Sequence, residues 1–66
     1  MTTQEKEWFL SLDEDIKLKS LQMMLKDKKI EMAFDTIKIL LDTPITEGGV
    51  STEKIQKVFD DYINLN

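Results

Sequence analysis

The residues best suited to chemistry in this chain are two runs of adjacent carboxylates. Asp13, Glu14 and Asp15 form one run, and Asp60 and Asp61 form the other. Paired carboxylates work as general acid and base only when they converge on a substrate, and adjacent residues of a helix point apart. The chain also has no His and no Cys, which supply the usual general bases, nucleophiles and zinc ligands. We therefore expect a protein that is not an enzyme and binds no cofactor.

The one glycine-containing segment offers little as a ligand site. Gly48 and Gly49 precede a predicted helix, but the Lys and further glycines of a phosphate-binding loop are missing. Asp42 and Glu53 flank this segment, yet Pro44 and the lack of alternating carboxylates break the calcium-loop pattern. We predict a flexible turn here and no metal site.

The length of 66 residues allows a single helical domain, residues 1–66. No apolar run approaches the ~18 residues that a membrane span requires. The N-terminus is acidic and lacks the basic region and apolar run of a signal peptide. The sequence therefore predicts a cytoplasmic protein with no membrane association.

Apolar residues recur every three or four positions, and no useful stretch alternates as a β-strand does. All Gly and Pro residues lie between Pro44 and Gly49. The expected fold class is all-α, a small bundle of three to four short helices with no sheet. Capping residues are expected at Thr2, Ser11 and Ser51, and the predicted helices cover residues 3–10, 12–26, 29–41 and 52–63.

The boundary between the second and third helices has two interpretations. The step from Leu25 to Ile30 is five residues, which does not return to the same helical face, so we place a turn near Asp27 and Lys28. The alternative is one continuous helix over residues 12–41, because Lys and Asp are compatible with a helix. A seven-residue apolar step favours this alternative, through Ile16, Met23, Ile30 and Ile37.

The charge balance narrows the choice of binding partner. Thirteen acidic residues oppose nine basic ones, all of them Lys, and the net charge is −4. Arg is the preferred residue for recognising phosphates and bases, so its absence argues against direct nucleic-acid binding. Within the chain, residues 17–29 are basic, whereas the segments on either side are acidic. A larger protein with a basic surface is the better electrostatic match.

Two candidate interaction surfaces follow from these patterns. The first is an acidic face whose carboxylates would stand in for phosphates on a basic partner, made of Glu31, Asp35, Glu53, Asp60 and Asp61. The second is an apolar helix face with adaptable methionines, made of Leu18, Leu21, Met23, Met24 and Leu25. This apolar surface exceeds what a small monomer can bury, so we expect a homodimer.

The second half of the chain resembles a known family of regulators. The relevant residues are Glu31-x-Ala33-Phe34-Asp35, the Gly48-Gly49 loop, and the run from Ser51 through Lys54-Ile55, Val58-Phe59-Asp60 and Tyr62 to Asn66. This pattern resembles the small acidic antirepressors of AbrB-type regulators. The resemblance implies a helical dimer that blocks a repressor's DNA-binding face. It implies that role for Glu31, Asp35, Asp60 and Asp61.

We therefore predict a small acidic regulatory or inhibitory protein that sequesters a larger, basic-surfaced protein, such as a DNA-binding or transcription protein. The Ile- and Lys-rich, Arg-free composition is typical of a phage or a low-GC bacterium. The alternative is a structural or adaptor module that works through an apolar helix face. A third interpretation is a small DNA-binding helical protein that uses Lys26, Lys28 and Lys29.

Overall fold

The structure, a computed structural model, describes residues 2–64 and contains four α-helices. No strand occurs among these residues, which confirms the predicted all-α class. A short 3₁₀ helix, Ile45–Glu47, lies in the segment between the last two α-helices. The α-helices are α1 (Thr3–Leu10), α2 (Glu14–Lys26), α3 (Ile30–Asp42) and α4 (Thr52–Asn64).

Helix α1 begins and ends at hydroxyl residues. The Glu5 backbone N–H donates to Oγ1 of Thr2 at 3.2 Å, which satisfies one of the free donors of the first turn. At the other end the Ser11 hydroxyl donates to the Trp8 carbonyl oxygen at 2.6 Å. Ser11 thus closes α1, and the prediction that it caps α2 is wrong. The N-cap of α2 is Asp13, whose backbone is extended, so α2 begins at Glu14.

A tight turn separates α2 from α3, so the continuous helix over residues 12–41 is excluded. Lys28 has a φ of +58°, in the left-handed region. The N–H of Lys28 donates to the Leu25 carbonyl at 3.1 Å, and the N–H of Lys29 donates to the Met24 carbonyl at 2.9 Å. These two bonds form a Schellman motif, which satisfies the last carbonyls of a helix and ends it.

The segment that follows α3 is a packed turn. Thr43 is extended, as expected for the residue before Pro44, and this ends α3. The Gly48 φ of +104° is one that residues with a side chain rarely adopt, and a Cβ there would collide with the Leu10 carbonyl oxygen. A Cβ on the buried Gly49 would collide with the Thr43 carbonyl oxygen. The two glycines therefore allow a close backbone approach within the predicted turn.

The hydrophobic core draws on every α-helix. Helix α2 packs against both α3 and α4, and α1 contributes Phe9. Val50, which precedes α4, is also buried, and its N–H donates to the Leu40 carbonyl at 3.3 Å. The buried apolar residues are Phe9, Leu21, Leu25, Ala33, Leu40, Val50, Ile55 and Val58.

One lysine is part of this interior. Lys17 on α2 is only 3% exposed, and its Nζ donates to the Leu10 carbonyl oxygen at 3.2 Å and the Gly48 carbonyl oxygen at 2.6 Å. Buried charged groups require such partners because desolvation is costly. Lys17 therefore connects the end of α1 to the turn after α3, and it is not part of the basic surface expected over residues 17–29.

Candidate protein-interaction surfaces

The five acids of the predicted acidic face are all exposed, but they lie on different parts of the molecule. Glu31 and Asp35 are four residues apart on one side of α3. Glu53 and Asp60 are seven residues apart on one side of α4. Asp61 lies elsewhere on α4, in an open groove against α2 that also contains Lys54 and Lys57. The structure thus gives two acidic edges, and Asp61 belongs to neither.

The carboxylates of the two edges form no ion pair within the described part of the chain. Within the described residues 2–64, the ion pair formed is the one between Lys54 and Glu14, which joins α4 to α2. Neither of these residues belongs to the acidic edges. The edges on α3 and α4 therefore present unpaired carboxylates to the solvent, with Lys38 and Lys57 on the same helix faces.

The predicted apolar face of α2 is mostly inside the protein. Leu21 and Leu25 are 0% and 3% exposed, so a partner could reach them only if the bundle opened. Leu18 and Met24 are half-buried and pack against the core. Met23 is the exposed member of the five, at 56%. The leucines of α2 thus hold the bundle together.

Exposed apolar surface lies instead on α3. Ile30, Phe34 and Leu41 are 43%, 60% and 46% exposed, and the half-buried Ile37 completes the series. We call these four residues the α3 stripe. Their spacing of four, three and four residues places them on one face of the helix. The apolar pattern of the sequence does not distinguish this face from the core face of α3, which carries Ala33, Thr36 and Leu40.

A second apolar surface lies where α1 approaches α2 and α3. Trp8 and Met32, which are 65% and 50% exposed, line a groove whose wall includes Met24. We call it the Trp8 groove. The sequence pattern did not predict this groove, because its residues come mostly from three helices that are distant in the chain. The residues that line it are Glu5, Trp8, Phe9, Leu12, Ser20, Met24 and Met32.

The basic residues nominated for DNA binding surround the turn between α2 and α3. Lys26, Lys28 and Lys29 are all exposed, and Asp27 lies among them. Because the chain has no Arg, these three ammonium groups have no guanidinium beside them to recognise a base edge. They can neutralise phosphates, but they show no arrangement that would read sequence.

The described part of the chain shows neither a cluster of metal ligands nor a membrane-spanning helix. No group of three or more His, Cys, Asp or Glu side chains in residues 2–64 is arranged to hold a metal ion. None of the helices described is long and apolar enough to cross a lipid bilayer.

Comparison with known proteins adds no family. No protein-family model matches the sequence, and no curated protein or solved structure is significantly similar to it. The resemblance to AbrB-type antirepressors therefore stays a prediction.

Proposed function

We propose that this chain is a small, non-enzymatic regulatory or inhibitory protein that binds and sequesters a larger protein with a basic surface. The observation that carries the proposal is the exposed, unpaired carboxylates of the two acidic edges. Glu31 and Asp35 on α3, and Glu53 and Asp60 on α4, are exposed and form no ion pair within residues 2–64. Charge of one sign on a surface steers association with a partner of the opposite sign.

The spacing of these acids suits a partner that normally binds nucleic acid. Carboxylates four or seven residues apart on a helix repeat about every 6 to 10.5 Å along its axis, from a rise of about 1.5 Å per residue. Phosphates two to three nucleotides apart on one strand of B-DNA span about the same axial distance, because the rise is about 3.4 Å per nucleotide. A basic groove shaped for phosphates therefore fits an acidic helix edge, and occupation of that groove would exclude nucleic acid.

The test neutralises three of the four edge acids without changing their shape. We expect a variant with Asp35→Asn, Glu53→Gln and Asp60→Asn to lose a protein that the wild-type chain captures from an extract of the source cells. The matched control neutralises three acids outside the edges, through Glu7→Gln, Asp15→Asn and Glu47→Gln. The readout is quantitative mass spectrometry of the proteins captured by each form.

Capture of the partner should depend both on the position of the acids and on the salt concentration. The proposal predicts that the control still captures the protein, that the edge variant does not, and that about 1 M salt releases it, because screening then acts within about 3 Å. Capture that is equal for the edge variant and the wild type, or equally reduced in the control, would contradict a role for the edges.

A structural or adaptor role is the second candidate, and exposed apolar residues favour it. Trp8, Phe34, Ile45 and Ile63 are each at least 60% exposed, so these large apolar side chains are accessible to a partner. A partner held mainly by these residues would remain bound at about 1 M salt, because hydrophobic contacts do not weaken with screening. The salt step of the same capture experiment therefore separates the two candidates.

Direct DNA binding through Lys26, Lys28 and Lys29 is the third candidate, and the net charge of −4 disfavours it. Duplex DNA titrated at low salt gives the comparison. Binding that falls when the three lysines are replaced by Gln would support this candidate in place of the sequestering role.

A further inference from the structure

We propose that the Trp8 groove is a docking site for an amphipathic basic segment of a partner protein, which inserts an apolar side chain beside Trp8 and places a Lys or Arg near Glu5. The inference rests on the proposed function, because it specifies how a basic partner is held. It assigns a second contact, made by residues other than the acids of the two edges.

The lining of the groove suits an apolar side chain. Phe9 comes from α1, Met24 from α2 and Met32 from α3, so three helices surround the space, and Leu12 joins them from the segment that follows α1. Methionine side chains are flexible and polarisable, and they adapt to differently shaped apolar groups. Trp is the residue type most enriched among binding hot spots, and here it stands 65% exposed at the rim.

The groove is not needed to complete the core. Trp8 and Met32 stay outside the cluster of buried residues, whereas their neighbour Phe9 is 4% exposed and belongs to it. The bundle thus keeps its packed interior while Trp8 and Met32 remain in contact with water. An apolar group that covered them would gain roughly 25 cal/mol for each Å² of apolar surface removed from water.

The charge of the groove indicates which residues of the partner should lie beside the inserted apolar side chain. Glu5 is exposed, is the one charged side chain among the seven residues that line the groove, and has no ion pair within residues 2–64. Ser20 supplies the other polar side chain of the lining. A carboxylate at the rim attracts a cation next to the inserted side chain and repels an anion. The Trp8 ring can also accept a cation against its face.

The chain carries its own reporter for this site, because Trp8 is its single tryptophan. The probe is an amphipathic helical peptide of Leu and Lys, about 14 residues or four turns long. Its matched control is the same peptide with Glu in place of every Lys. Titration at low micromolar protein should give a saturable blue shift of the Trp8 emission with the Lys peptide and none with the Glu peptide.

Two variants on neighbouring positions of α3 locate the binding. Met32→Lys places a charge in the groove, and Phe34→Lys places the same charge on the α3 stripe, outside the groove. We expect Met32→Lys to weaken the Lys peptide at least about tenfold, whereas Phe34→Lys stays close to the wild type. Glu5→Gln should weaken the peptide by a few-fold, as expected for one exposed charge pair.

Each other outcome contradicts the proposal in a recognisable way. Equal weakening by Met32→Lys and Phe34→Lys would show attraction to net charge alone. A blue shift that rises with protein concentration before any peptide is added would show that a second copy of the chain covers the groove. If the peptide fails to bind the groove while capture still depends on Asp35 and Asp60, the groove assignment is wrong and the acidic-edge function stands. If the peptide binds the groove but capture does not depend on Asp35 and Asp60, the acidic-edge function is wrong and the groove assignment stands.

Discussion

At the scale of single residues, the most consequential side chain is one that composition assigns to the surface. Lys17 is buried, and the two carbonyl oxygens that it bonds, of Leu10 and Gly48, lie 7 and 31 residues away in the chain. Its charge could be accommodated only because both acceptors are brought to the same point. A buried donor of this kind is expected to stabilise the fold through its hydrogen bonds and to be costly to remove.

The first prediction replaces this lysine with an uncharged side chain of similar length. Lys17→Met keeps the packing of the stem but leaves the carbonyls of Leu10 and Gly48 without their donor. We expect the free energy of unfolding to fall by about 1.5–3 kcal/mol, as for hydrogen bonds that involve a charged group. Urea unfolding followed by circular dichroism measures the change.

The control for Lys17→Met is the exposed lysine two positions along the same helix. Lys19→Met makes the same chemical change where no carbonyl depends on the ammonium group, so it should alter stability by no more than about 0.5 kcal/mol. A Lys17→Met variant as stable as the wild type would show that the ammonium group does not hold the turn in place.

At the scale of elements, the turn between α2 and α3 contains a residue in an unfavourable conformation. Lys28 is left-handed, with a φ of +58°. This conformation costs a residue with a Cβ about 1–2 kcal/mol, and glycine adopts it freely. The Schellman bonds of Lys28 and Lys29 maintain the conformation despite that cost.

The second prediction uses two glycine substitutions of opposite sign. Lys28→Gly should raise the free energy of unfolding by about 0.5–1 kcal/mol, because the strain is removed. Lys26→Gly, in the last turn of α2, should lower it by up to about 1 kcal/mol, as glycine does in a helix. Thermal and urea unfolding of both variants provides the measurement, and destabilisation by Lys28→Gly would indicate that α2 and α3 are not separated by this turn.

The bounds of the helices could be predicted from the sequence more accurately than the faces that the helices bury. Local signals place α1 over the predicted residues, and they place α3 and α4 within one residue of the predicted bounds. The turn at Lys28 was foreseen from the break in apolar phase, but its left-handed conformation was not, because glycine is the usual residue at that position.

The surfaces were harder to predict, for a physical reason. Apolar residues cover more than half of the circumference of α3, so periodicity cannot show that Ala33, Thr36 and Leu40 face the core while Phe34 faces solvent. Packing against the other helices fixes that rotation. Thr36 illustrates the point, since its hydroxyl is fully buried and bonds the Met32 carbonyl oxygen at 2.8 Å.

At the scale of the whole molecule, the balance between buried and exposed apolar surface favours self-association. A chain of 66 residues has a small core, and marginal domains of this size often gain stability by forming oligomers. The α3 stripe remains exposed after the core is complete. Its spacing is that of the seam between paired helices, so the homodimer proposed from the sequence would best use this stripe.

The third prediction concerns the oligomeric state. We expect sedimentation equilibrium to show a reversible rise from the chain mass of 7.7 kDa toward twice that mass as concentration increases. Phe34→Asp should abolish this rise, because it places a carboxylate in the middle of the stripe. Met32→Asp, on another face of α3, serves as the control and should still dimerise. Monomer at all concentrations for the wild type, or equal disruption by both variants, would contradict a dimer through the α3 stripe.

The buried Lys17 ammonium also makes two remote parts of the chain interdependent. Helix α1 has eight residues, too few to be stable by itself, and its final carbonyl shares one donor with the turn that leads into α4. If α1 moves away, Lys17 loses its hydrogen bond to the Leu10 carbonyl oxygen and is then held only by the Gly48 carbonyl oxygen. The turn that contains Gly48 should then be less well fixed. Local opening should therefore involve both segments as one cooperative unit. A ligand that displaces α1 would in this way also loosen the turn at the start of α4, a segment that the ligand does not contact.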